Sequence, residues 1–320
     1  MRPRVALDPV GQGGISDREP IGAVMSSQPI AILPSLSVAY RLLLANWQRF
    51  VLAGLPFTLA YAIKLWLGQM AQSAELTGFW LTLDAVALIA LTVGSLAFSA
   101  MAFRLAVRGE YDGRFGLRLS ADEWRLFVVA MLNAALVLIV ALLAAMFAIV
   151  VFGTVAAGAV ERAGIDARET GIDLPMAMQY LTTADWVAVG AVNVLALLLV
   201  GWLVARLCLS FPASFAQRSV RVLSVWSLSE GQAWRILASI VAALAPLVIV
   251  EIGLYEAVCA ILGERPLMVP VVLGEDLLTE GGFVRIPEYL RLTGLFAIFN
   301  LPVVAGLYAH FHTLRAPASE

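Results

Sequence analysis

The stretch LFVVAMLNAALVLIVALLAAMFAIVVFGTVAAGAV, residues 126–160, decides the fold, because its thirty-five consecutive positions carry no charge. An α-helix rises about 1.5 Å per residue, and roughly 20 apolar residues cross the hydrocarbon core of a bilayer. The run is too long for one upright span and too short for two with a turn. It reads as one long helix over about 125–152, with an outer end loosened by Gly153 and Gly158. The whole chain of 320 residues is 61% hydrophobic and 14% charged, against about 25% charged in a soluble domain.

Working outward, five more stretches are long and apolar enough to read as spans, over about 50–68, 78–104, 186–206, 235–262 and 292–314. Proline occurs inside three of them, at Pro56, Pro246 and Pro302. Membrane helices tolerate this because neighbours re-satisfy the freed carbonyls. The expected fold is all-α, a polytopic membrane bundle of six transmembrane helices in three antiparallel hairpins. It forms a single domain, 29–320, behind a disordered tail, 1–28. The tail has scattered charges and no apolar core of a signal peptide, and Met25 is a second candidate start.

Orientation follows from the flanks. Fifteen of the 21 basic residues fall on the side that holds both termini, five on the other, and Lys64 lies within the first span. Arginine and lysine accumulate on the cytoplasmic side. The expectation is a multi-pass protein of the cell (inner) membrane with cytoplasmic N- and C-termini. A net charge of -2 gives nucleic acid no basic surface to bind. The expected partners are the lipid bilayer and a membrane protein.

Each odd-numbered span opens with Trp and Arg: Trp47 and Arg49, Trp124 and Arg125, Trp234 and Arg235. Each even-numbered span closes with Arg104, Arg206 or Arg315. Tryptophan favours the headgroup layer and arginine snorkels to the wet side, so these residues read as interface anchors. Phe215, Ser219, Val222, Leu223 and Trp226 share one helical face, which predicts a short amphipathic helix on the inner leaflet, broken at Gly231.

Arg206-Leu-Cys-Leu-Ser-Phe-Pro-Ala-Ser-Phe215, with Ser224-Val-Trp-Ser-Leu-Ser-Glu-Gly-Gln-Ala-Trp-Arg-Ile236, resembles a block found in a poorly characterised family of bacterial membrane proteins. That family is similar to the membrane domain attached to some glycerophosphoryl diester phosphodiesterases. Ser229-Glu230-Gly231 stands where the family usually has Thr-Arg-Gly, so its basic position is lost here. The resemblance covers about 30 residues and fits a six-span layout. It implies no phosphodiesterase activity, because the chain has no room for that soluble domain.

Ionisable groups inside a span cost about 2.5–3.5 kcal/mol each at the helix centre, so each needs a reason. Lys64, Asp84 and Glu251 fall in the outer third by helical rise and predict an outward-facing polar pocket, with three independent snorkelling side chains as the alternative. Asn133, Asn193 and Asn300 fall near mid-membrane and predict either a shared polar layer or three local amide–carbonyl bonds. His310 and His312 are two apart, point to different helical faces and read as interfacial. Cys208 and Cys259 read as buried apolar thiols. No nucleotide loop, catalytic triad or metal-ligand spacing occurs. The expected cofactors, catalytic residues and metal ligands are none. The chain reads as a non-enzymatic, lipid- or partner-interacting envelope protein. The alternative is a small-solute transporter or channel subunit using the polar pocket.

Overall fold

The computed structural model describes residues 30–73, 78–111, 115–118, 120–165, 174–262 and 293–315. The expected tail, 1–28, and the segment 263–292 lie outside the described residues. Eight α-helices are described: α1 Ile32–Ser73, α2 Gly78–Arg108, α3 Ala121–Arg162, α4 Leu174–Gln179, α5 Thr183–Leu207, α6 Ser210–Gln217, α7 Ala233–Leu262 and α8 Ala297–Arg315. Short 3-10 turns, Leu223–Ser229 and Thr293–Phe296, precede α7 and α8. Among the described residues there is no strand, and six helical segments are long and apolar enough to cross a membrane. The chain is an all-helical, multi-pass membrane protein.

The first helix differs from its expected span. It starts at Ile32, eighteen residues before the apolar run, and kinks at Asn46, whose backbone is non-helical. The arm before the kink buries Ser35, Ala39 and Leu43, a stripe at four-residue spacing on one helical face. Tyr40 donates a hydrogen bond to the carbonyl of Ala243 on α7, and the amide of Ile30 donates to Gln232. The arm is thus part of the bundle.

The third helix corrects the expected break near residue 152. It runs without interruption to Arg162, about 63 Å at the normal rise. An isolated glycine costs a helix only about 1 kcal/mol relative to alanine, and the last turns are held by other contacts. Ala156 and Val160 pack on Ala177 of α4, and Arg162 pairs with Asp185 of α5 at 2.5 Å.

The packing does not follow sequence neighbours throughout. α1 packs on α2 and α3 on α5, but α8 packs most extensively on α1 and then α2, with less contact to α7. Small residues permit that approach. A Cβ on Gly306 would come within 3.2 Å of the Ala39 backbone, and one on Gly54 would collide with Ile298. Ala305 and Ala309 are buried on α8, whereas Ala141, Ala144, Ala145 and Ala148 of α3 are not. The main core joins Phe50, Phe98, Met101, Ile236, Leu307 and Phe311.

Candidate functional site

The polar groups inside the spans resolve into separate pairs. Lys64 on α1 forms an ion pair with Asp84 on α2, and both side chains remain partly exposed. Glu251 on α7 is 3% exposed and accepts a hydrogen bond from Nδ2 of Asn300 on α8 at 2.6 Å. Lys64 and Asp84 thus meet, while the hydrogen-bond partner of Glu251 is Asn300. No described Lys, Arg or His lies within ion-pair distance of the Glu251 carboxyl. Asn300 Oδ1 is buried and has no donor.

The shared asparagine layer does not form. Asn133 donates to Ser210 Oγ at 2.7 Å, Asn193 to the Val189 carbonyl one turn earlier, and Asn300 to Glu251. Asn133 and Asn300 bond side chains on other elements, and Asn193 bonds a carbonyl of its own helix. Asn133 thereby ties α3 to the start of α6.

The arginine-rich end is the most organised polar region. Ser120 caps α3, and its backbone and hydroxyl both donate to Glu123 Oε2 at 2.6 Å. The other oxygen of Glu123 accepts from Arg104 at 2.6 Å, and both side chains are about 5% exposed or less. Asp122 accepts from Arg108 and Arg125, each at 2.8 Å. Arg108 also donates to the Phe215 carbonyl and lies over the Phe215 ring. This corrects the anchor reading of the closing arginines. Arg104 turns inward because Glu123 offers a buried counter-charge. The opening tryptophans Trp47, Trp124 and Trp234 are instead 53%, 66% and 56% exposed. Beside them, Arg49 donates to Asn46 and lies over the Tyr111 ring. Burial pushes the Tyr111 hydroxyl pKa up, and the Arg49 charge partly offsets this. Arg235 is exposed.

The expected amphipathic helix is broken in two. α6 ends at Arg218, whose φ of 51° is left-handed, and the chain folds back so that the Arg221 amide donates to Ser214 Oγ. Phe215 and Val222 are buried while Leu223 is 67% exposed, so the five residues do not share a face. The following 3-10 turn is clamped from two sides. Arg206 lies 4.8 Å from the Trp226 ring and 5.4 Å from the Trp202 ring, and donates to the Trp226 carbonyl and Ser229 Oγ. Arg315 donates to the carbonyls of Leu228 and Glu230. Gly231 then takes a left-handed φ of 67° that leads into α7. His312 is buried, 8% exposed, whereas His310 is partly exposed. Both cysteines are free and buried. Among the described residues no cluster of three metal-ligating side chains occurs. A shallow groove of about 350 Å³ beside the α1 kink is lined by residues 44–49.

No protein-family model, curated protein or solved structure matches this chain.

Proposed function

We propose that this is a non-enzymatic integral membrane protein that works by presenting the α3–α5 hairpin to lipid or to a membrane partner. One observation carries this reading: no residue of α3 between Asn133 and Ala156 is buried, and none of α5 between Val189 and Leu203. The hairpin meets the rest of the bundle at its arginine-rich end, through Arg104–Glu123, Asn133–Ser210 and Gly201 against Leu237, and its middle offers apolar side chains outward. Membrane helices associate through close packing and a few polar bonds rather than by escaping water. A hairpin left unpacked over that length suits lateral contact. By the arginine bias, the arginine-rich end and both termini face the cytoplasm of a cell whose inner membrane holds the protein. The block from Arg206 to Ile236 supports kinship with the membrane domain attached to some glycerophosphoryl diester phosphodiesterases, and the clamped turn gives that block a structural role.

The test is native mass spectrometry of the protein released from nanodiscs made from its own membrane, with a photo-crosslinker at Phe147 and a control at buried Phe98. A stoichiometric lipid or protein caught from Phe147 supports the proposal. A bare monomer with no adduct from Phe147 overturns it, and solute-flux assays then test the transporter reading.

A further inference from the structure

The Glu251–Asn300 pair lies where α7 meets α8, and its hydrogen bonds do not balance if Glu251 is a carboxylate. Asn300 has two donors and an acceptor oxygen. One donor is used on Oε1, while Oδ1 is buried with no donor. A carboxylate cannot supply that donor, because it only accepts. It would also be a charge 3% exposed with one hydrogen bond. Buried charges without a counter-ion and buried acceptors without a donor are both unfavourable. A carboxylic acid removes both problems: its carbonyl accepts from Nδ2 and its hydroxyl can donate to Oδ1.

Among the described residues the surrounding elements place no counter-charge at Glu251. α7 packs against α1, α5 and α8. On α1 the ionisable groups in the outer half are Tyr61 and Lys64, and Lys64 is bound to Asp84. α5 has no ionisable side chain between Asp185 and Arg206. On α8, His310 and His312 lie about three turns further along. On α7 itself Tyr255 and Glu256 follow one turn later. Among the described residues none of these is an ion-pair partner of Glu251.

We propose that Glu251 and Asn300 form an intramembrane proton-binding site, holding one proton between the Glu251 carboxyl and the Asn300 amide at neutral pH. Loss of that proton leaves a carboxylate and an orphaned amide oxygen, so occupancy is coupled to the contact between α7 and α8. Pro246 and Pro302 lie five and two residues from the pair and interrupt the hydrogen bonding of both helices.

The test is infrared difference spectroscopy of the protein in lipid nanodiscs at pH 7. The wild type minus Glu251→Gln spectrum should show a carboxylic acid C=O band that shifts down in D2O. A carboxylate band in its place overturns the proposal, as does an acid band that D2O leaves unmoved. If Glu251→Gln does not fold, ¹³C-glutamate labelling of wild type and Asn300→Leu replaces it. A labelled acid band in wild type that moves or disappears in Asn300→Leu supports the site. No labelled acid band, or one indifferent to Asn300→Leu, overturns it.

Discussion

In the group formed by α1, α2 and α8, Phe50, Phe98, Leu307 and Phe311 are at most 1% exposed, whereas Leu143, Phe147 and Ile149 of α3 are 62–68% exposed. The two regions use the same kinds of side chain. Their most apolar windows rank the opposite way: that of α3 is the most hydrophobic of the six and has no buried residue. In water the more apolar helix would be the more buried. In a bilayer the tails are as apolar as leucine, and packing is decided by backbone approach and polar bonds. The first group has Gly54 and Gly306 where helices touch. The middle of the α3–α5 hairpin has neither a close glycine contact nor a bond to another helix: Gly153 and Gly190 face open space and Asn193 bonds its own helix.

Substitutions can break or sharpen that contrast. The largest expected effect is at the buried pair where α2 meets α3. Arg104→Met should leave Glu123 uncompensated and cost about 3–5 kcal/mol, while the double change Arg104→Met with Glu123→Leu should recover much of it. Thermal unfolding in detergent reads both, and equal losses would mean the pair is not the cause. Next come the glycines. Gly306→Leu should cost about 1–3 kcal/mol by overpacking, with a lowered melting temperature. Gly153→Leu on the exposed helix should not destabilise and should gain up to about 1 kcal/mol of helix propensity, so similar losses at both sites would erase the contrast. Asn133→Leu removes the tie from α3 to Ser210 and should cost about 0.6–2 kcal/mol by chemical denaturation. The smallest effect belongs to Phe147→Ala, expected within about 0.5 kcal/mol. A clear loss there in the isolated protein would show that this face packs within the chain.

The spans were legible because each depends on length and charge alone, and residues 126–160 carried both signals in one run. The arm before Asn46 was not legible as an element. It contains Pro34 and Arg41, and its buried stripe of Ser35, Ala39 and Leu43 is too narrow for a hydropathy criterion. Helical rise put Lys64 and Asp84 at similar depth, and they are bonded. It could not give Glu251 its partner, because Asn300 lies 49 residues further on and depth says nothing about rotation around the bundle. The closing arginines were misread for a related reason. A sequence shows that Arg104 sits at a helix end, but nothing in it shows that Glu123, 19 residues further on and next to Trp124, faces that arginine.

The seating of α8 on α1 and α2 bears on the order in which the molecule can be finished. The chain is made from its N-terminus, so the first two spans emerge without the helix that fills the surfaces around Gly54, Ala39 and Leu42. Those surfaces stay vacant while the three intervening spans are synthesised, and Arg315 reaches the Leu223–Ser229 turn only once α8 is made. α8, Ala297–Arg315, therefore acts as a completion check: a chain cut short before it lacks both the wedge between its oldest helices and the clamp on the Leu223–Ser229 turn.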